Sequence, residues 1–324
     1  MDFSQVRTFL ADDWISVQDL FKRALYSDVT LMNETNTYLV SNEGKMLRPM
    51  LSLLVSKACG NVTDESKRVA AASELLHNAT LLHDDVLDQS SRRRGVSTVM
   101  SMLGSKASVL AGDFWLVMAV DTILGCRRHS KTLLGMFSHT VKDLVDGEMF
   151  QMEKAESADT TRMDYEDMIY LKTATLFETI CCAAAITAGA PRRVENAVRE
   201  YGRNLGMAFQ IKDDILDYDG ADLGKPVGTD LREGKITLPL LEALDGVEPK
   251  RQAEVRRMVK EIPEMEGNVA KVADFVKARN GTALAAVTLQ GYVNRAKEAL
   301  EPLDWSPAKD WLLKLADYCA YRTI

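Results

Sequence analysis

The stretch Glu74-Leu75-Leu76-His77-Asn78-Ala79-Thr80-Leu81-Leu82-His83-Asp84-Asp85-Val86-Leu87-Asp88, followed by Gln89-Ser90-Ser91-Arg92-Arg93-Arg94-Gly95, decides the reading of this chain. Its apolar positions recur at helical spacing and end in a cluster of acids, and a basic triplet comes next. A second cluster, Asp213-Asp214-Ile215-Leu216-Asp217, tops another helix-patterned run that includes Phe209, Gln210 and Ile211. Within each cluster the first and last Asp are four apart, so one helix face carries both carboxylates with the middle one beside them. A lone acidic helix end is ordinarily a solvated face, but two clusters that each top an apolar helix argue against that reading. Clustered carboxylates repel each other without a cation. Hard oxygen ligands on a rigid surface suit Mg²⁺, which keeps several waters and completes its shell with substrate phosphates. The pair therefore points to diphosphate chemistry.

Outward from these clusters the chain reads as all-α. It has eight prolines, long helix-period runs and essentially no strand pattern. Helices are predicted over 4–24, 28–41, 47–58, 64–88, 106–124, 130–154, 162–187 and 191–217, with shorter ones after Thr237. Breakers fall at Gly44, Gly60-Asn61 and Gly95, and in the stretch 219–234. No linker or shift in composition divides the chain, so a single domain over 1–324, one large helical bundle, is expected. The two acid segments resemble a loose internal repeat, and bundle interiors commonly hold metal sites.

A net charge of −7 gives no support for nucleic-acid binding. Cys59, Cys126, Cys181, Cys182 and Cys319 show no metal-ligand spacing and read as free thiols. The start, with acids at Asp2, Asp12 and Asp13, does not look like a secretory signal, and no uncharged run looks long enough to span a bilayer. A cytoplasmic protein is expected.

A metal-bound diphosphate still needs cations, and so does a second anionic substrate. Gly44-Lys45-Met46-Leu47-Arg48-Pro49 places Lys45 and Arg48 beside a helix start, and the arginine triplet follows the first acid cluster directly. With these motifs in order, and with GDF at 112–114, LKTATLF at 171–177, GKPVGTD at 224–230 and EGKITLP at 233–239, the chain resembles the trans-isoprenyl diphosphate synthases over most of its length. The resemblance implies an isoprenoid synthase bundle, a homodimer and an enzyme that joins isopentenyl diphosphate to an allylic diphosphate. It implies that Asp84, Asp85, Asp88, Asp213, Asp214 and Asp217 hold Mg²⁺, three ions when the allylic diphosphate is bound. It further implies that Lys45, Arg48, His77 and Arg94 hold isopentenyl diphosphate, that Arg93 reaches the allylic diphosphate, and that Lys172, Thr173, Gln210, Lys225 and Lys235 line the reacting end. Arg92 falls outside that pattern, and His83 could orient a neighbouring carboxylate. Thr173 and Gln210 could offer dipoles to a carbocation or simply join two helices.

Product length is read just below the first cluster. In the resembling family, bulky aromatics four and five residues before the first Asp floor the pocket; here those residues are Thr80 and Ala79. The chain also lacks the two-residue insertion that many geranylgeranyl synthases carry in this motif. Both features point to a long product, about forty carbons and on the order of 35 Å extended, matching a helix of about 24 residues. A tunnel of that length would pass Leu76 and Ala72 and close on a residue such as Met118, Met136 or Phe137. Shorter products and a subunit of a heteromeric synthase are the alternatives. The basic motifs count against a terpene cyclase, and intact acid clusters count against a non-catalytic subunit.

Overall fold

The computed structural model describes residues 1–42, 44–219 and 228–322. The fold is all-α, as the periodicity predicts. Its elements are α1 (Phe3–Ala24), α2 (Thr30–Ser41), α3 (Leu47–Cys59), α4 (Asp64–Leu87), β1 (Arg92–Arg93), β2 (Val96–Ser97), α5 (Val99–Leu103), α6 (Ser105–Leu124), α7 (Ser130–Ser157) and α8 (Arg162–Ile169). A π turn (Tyr170–Ala174) leads into α9 (Thr175–Ala188) and α10 (Arg192–Asp219). Then come α11 (Thr229–Arg232), α12 (Leu238–Leu244), α13 (Pro249–Lys260), α14 (Gly267–Ala278), α15 (Gly281–Ala299) and α16 (Pro307–Tyr321). The residues gather into two compact units: Met1–Ser138 with Thr179–Arg199 and Glu301–Leu313, and His139–Glu178 with Glu200–Leu300 and Lys314–Ile324.

In the first unit α4 is the central helix. Thr63 and Ser66 close a reciprocal capping box at its start, and Asp64 and Glu65 in its first turn suit the positive end of the helix dipole. Residues 69–76 are buried all round, with Ala70, Ala71 and Ala72 giving neighbours close access and Leu75 and Leu76 filling the core. Each buried Leu contributes roughly 1.5–3 kcal/mol of transfer free energy. Three contacts fix α6 antiparallel to α4: Ser108 Oγ donates to the Leu82 carbonyl at 2.8 Å, Gly112 abuts the His83 ring, and Gly125 abuts Arg68. Midway along α6, Trp115 donates to Asn36 Oδ1 at 2.8 Å and meets Phe21 edge-on with ring centroids 5.5 Å apart.

In the second unit the helix expected over 162–187 is interrupted. Five residues form a π turn, and a glycine faces it on each of two neighbouring helices. A Cβ on Gly206 of α10 would lie 2.5 Å from Ala174 Cα, and one on Gly147 of α7 would lie 2.9 Å from both Leu171 Cβ and the Lys172 backbone nitrogen. The wide turn bulges into room that only glycines leave, and such turns frequently mark functional sites.

One further difference from expectation has a physical cause. Strand structure among the described residues is confined to β1–β2, a two-residue ladder too short to carry a periodic pattern. Helices 105–124 and 162–188, which carry charged residues and so lie outside the uncharged runs considered above, are long and apolar enough to cross a membrane by length and composition. Their most apolar windows are 39% and 61% buried within the fold.

Candidate active site

The first acid cluster closes α4. The Asp88 amide donates to the Asp84 carbonyl at 2.8 Å, so the helical turn that carries both carboxylates is intact. Asp84 and Asp88 are half-exposed, whereas Asp85 is buried and accepts from Arg93 Nε at 2.8 Å. Negative side chains at a helix C-terminus oppose the macrodipole, so this end favours a cation. His83 lies 3.3 Å from Asp113 on α6, so that helix supplies a carboxylate to its ring.

Arg93 is held by the hairpin. Arg94 (φ 53°) and Gly95 (φ 81°) occupy its turn, and positive φ at both central residues is the mark of a type I′ connection. A non-glycine residue held there is uncommon, and it is a strained position of the kind found at binding sites. The turn carries Arg94 onto the segment before α3, where a Cβ on Gly44 would lie 2.5 Å from the guanidinium carbon. The pKa of His77 is held well below the usual imidazole range by burial first and then by the charges of Arg48, Arg94 and Arg93. His77 is therefore a neutral donor or acceptor among fixed cations. Arg7 Nη2 reaches the Lys45 carbonyl at 3.5 Å, and the Lys45 ammonium lies 5.9 Å from the Phe3 ring centroid.

The second cluster belongs to the other unit, and its three carboxylates face different ways. Asp214 is 3% exposed, with Oδ2 accepting from the Tyr165 hydroxyl at 2.6 Å and Oδ1 from Gln210 Nε2 at 2.9 Å. Burial pushes this carboxyl up to about 7. Gln210 in turn accepts from the Thr173 hydroxyl at 2.7 Å, the helix-to-helix bond that the sequence left open. Asp217 accepts from the amides of Thr229 and Asp230 at 3.1 and 3.2 Å and so caps α11. Asp213 pairs with Arg322 at 2.5 Å. Lys172 pairs with Glu148 at 2.5 Å, and Lys235 pairs with Glu233. A cavity of about 100 Å³ is lined by Tyr165, Lys172, Gln210, Asp214, Asp230 and Lys235 among others. Lys225 lies outside the described residues.

Within each unit, the structure thus brings together most residues that the sequence singles out. Tyr165, Glu148, Asp230, Arg322 and Glu74 were not among them. Tyr165 precedes Lys172 by seven residues, and Asp230 stands inside the GKPVGTD stretch, so both had a faint spacing cue. Arg322 lies 109 residues from Asp213 and had none. Ala79 is 2% exposed, and Thr80 turns its hydroxyl back to the His77 carbonyl at 2.8 Å. Phe137 is buried, while Met118 and Met136 are half-buried.

Among the described residues no three His, Cys, Asp or Glu side chains converge into a closed metal cage. The donor sets fit a hard ion that keeps waters and takes phosphate oxygens. Asp84 and Asp88 offer carboxylate oxygens, the hard donors such an ion prefers, from one helix face.

The sequence matches the polyprenyl synthetase family over residues 29–276. It is 37% identical to the octaprenyl diphosphate synthase of Escherichia coli (strain K12) over 99% of both chains. It is 33% identical to a short chain isoprenyl diphosphate synthase of Methanothermobacter thermautotrophicus, over 99% of this chain and 98% of that one. The crystal structure of a polyprenyl synthase from Caulobacter crescentus CB15, complexed with calcium and isoprenyl diphosphate, superposes with a TM-score of 0.92 at 32% identity, covering 100% of this chain and 98% of that one. With the acid motifs, the basic residues and the all-α fold in place, these likenesses make the chain a member of the polyprenyl synthetase family and a trans-prenyltransferase.

Proposed function

We propose that the chain condenses isopentenyl diphosphate with farnesyl or geranyl diphosphate, dependent on Mg²⁺, into an all-trans polyprenyl diphosphate for quinone side chains. Its length would be about forty carbons, on the order of the reach of α4. The observation that carries this reading is the hairpin that pairs Arg93 with Asp85 of the first acid motif and lays Arg94 against Gly44, in the segment of Lys45 and Arg48. One group suits an uncomplexed diphosphate and the other a metal-bound one. The calcium and isoprenyl diphosphate of the Caulobacter relative support the same ligand classes here.

In this reading Lys45, Arg48, His77 and Arg94 hold isopentenyl diphosphate, and Arg93 reaches the allylic diphosphate. Asp84, Asp88 and Asp213 would be direct ligands of the ions. Asp85, Asp214 and Asp217, whose oxygens are engaged by Arg93, by Tyr165 and Gln210, and by the α11 backbone, would fix the placement of those ligands. Mg²⁺ when bound, three ions with the allylic diphosphate, supplies Lewis-acid stabilisation of the departing diphosphate. Lys172 and Lys235 add positive charge at the reacting end, and Thr173 and Gln210 line it with dipoles. The cradle about His77 holds the isopentenyl double bond ready to attack, which removes much of the entropic part of the barrier. The released diphosphate takes the proton lost from the lengthened chain. Apolar helices exclude the water that would otherwise capture the carbocation.

Ala79 and Thr80 support long products, because neither fills the space one turn below Asp84. An exposed apolar face of α6, with Val109, Leu110, Val117, Val120 and Leu124, supports a homodimer. Five free cysteines suit a reducing cytoplasm. The test is incubation of the purified chain with Mg²⁺, farnesyl diphosphate and labelled isopentenyl diphosphate, with chromatography of the dephosphorylated products. A ladder ending near forty carbons is expected. Products that stop at geranylgeranyl would overturn the length, and no condensation by the chain alone would assign it to a heteromeric synthase.

A further inference from the structure

Within two of its turns, α7 meets the segment around the wide turn at Tyr170–Ala174 in three places. Asp143 Oδ2 accepts from the Thr175 hydroxyl at 2.9 Å. One turn on, the missing side chain of Gly147 lets the backbone of Leu171 and Lys172 close in. The next residue, Glu148, meets the Lys172 ammonium with Oε2 at 2.5 Å, while Gln151 Nε2 donates to its Oε1 at 3.4 Å. The Glu148 side chain is 17% exposed and that of Lys172 28%. Lys172 lines the cavity that it shares with Gln210, Asp214 and Lys235, and Glu148 stands outside that lining as far as the described residues define it.

A carboxylate against this lysine needs a reason, because the same ammonium is to meet a diphosphate and Glu148 cancels part of its attraction. Holding the turn is not that reason. The backbone there is already held by the Thr175 bond and the Gly147 contact, and a part-exposed ion pair adds little to stability. What the pair does fix is the tip of a flexible four-carbon stem. An ammonium has three donors, so one given to Glu148 leaves two for phosphate oxygens. We propose that Glu148 is a positioning residue for the departing allylic diphosphate, aiming the Lys172 ammonium while touching no substrate itself. The inference rests on the reading of Lys172 as a cation of the reacting end.

Glu148→Ala frees the ammonium and restores its full charge. Its rate of condensation in a single turnover at saturating substrates should fall about tenfold, while KM for farnesyl and for isopentenyl diphosphate stays within about twofold. Glu148→Gln, which keeps an acceptor at the same reach, should recover part of the loss. If the carboxylate only weakened Lys172, Glu148→Ala would match or exceed the wild type, and that result overturns the proposal. In the Lys172→Met background Glu148→Ala should cost less than about twofold more, since a residue that acts through Lys172 has nothing left to aim. A further loss of about tenfold there, the mark of a structural role, overturns it too. Lys172→Met alone separates the two readings. If it leaves the rate unchanged, Lys172 is misread and the proposal falls with it; if it lowers the rate and Glu148→Ala does not, only the role of Glu148 falls. Should Glu148→Ala fail to fold, Glu148→Asp, which draws the carboxylate back by one methylene, must show the same selective fall in rate, and its absence overturns the proposal.

Discussion

Arg322 donates from Nη2 to Asp213 Oδ1 at 2.5 Å, and its guanidinium carbon lies 4.1 Å from the centroid of the Phe209 ring one turn earlier on α10. A second bond runs from the same nitrogen to the Phe209 carbonyl at 3.0 Å. The arginine side chain is 7% exposed and the aspartate 42%. The pair is therefore anchored on the arginine side and accessible on the carboxylate side, where a cation can compete for it.

Arg322→Leu should lower the stability of the metal-free protein by about 1–2 kcal/mol, through loss of the ring contact and two charge-assisted bonds. With that competitor gone, added Mg²⁺ should raise the melting temperature more in the variant than in the wild type. Thermal denaturation with and without the ion measures both, and equal Mg²⁺ shifts would deny Asp213 a metal role.

Asp84→Ala should reduce turnover by roughly 10²–10³-fold, the usual range for loss of a group that stabilises developing charge. Its stability should stay level or rise by a few tenths of a kcal/mol, because a negative charge leaves the C-terminal end of α4. Steady-state kinetics alongside chemical denaturation separates these effects. Near-normal activity with the fold intact would refute the metal role.

Ala79→Phe should shorten the products. Ala79 is buried about 7.5 Å below Asp84 along the helix axis, so an aromatic ring there reaches any chain growing down α4. The product ladder should end several isoprene units earlier on chromatography, and an unchanged ladder would place the tunnel elsewhere.

Asp214 predicts a pH dependence. Burial raises its pKa to about 7, against about 3.9 for an unfolded aspartate. The folded chain keeps this proton where the unfolded chain has lost it. The stability that depends on this proton is therefore fully present below about pH 4, is lost as pH rises to about 7, and stays lost beyond. In chelator, the denaturation midpoint of the wild type should drop between pH 5 and 8. Asp214→Asn should show a smaller drop, with half-buried Asp230, also raised, keeping part of the slope. Identical slopes would contradict the buried, protonated state.

Gly206→Ala tests the π turn. The added methyl would meet the backbone of Ala174, and relieving such overpacking costs about 1–3 kcal/mol. The loss should appear in chemical denaturation together with reduced turnover, since Lys172 and Thr173 lie within the same turn. A neutral outcome in both would show that the turn yields easily.

Helix α4 was legible almost to the residue because its apolar period, its Thr63 cap and its acidic end agree on one element. The hairpin that presents Arg93 and Arg94 was not, since two-residue strands have no period and only Gly95 hinted at a turn. Grouping Asp213, Asp214 and Asp217 as equals overlooked helix geometry. Neighbouring residues diverge by about 100°, so the middle acid looks into the protein and found Tyr165 there. Tyr165 and Arg322 escaped notice because a partner 49 or 109 residues away leaves no local spacing to read.

The wide turn at Tyr170–Ala174 makes the segment from Arg162 to Ala188 a screw whose thread changes phase partway along. An i→i+5 turn takes up one residue more than an α turn, so each side chain of α9 points about 100° away from where an even count from Arg162 would set it. Deleting a single residue there would restore an even thread and leave α9 where it stands, with Phe177 still against Phe209, whose ring centroid lies 5.5 Å away. The wide turn thus takes up one residue locally, and what the extra residue sets is the placing of Lys172 and Thr173 within it, not the course of the helix beyond.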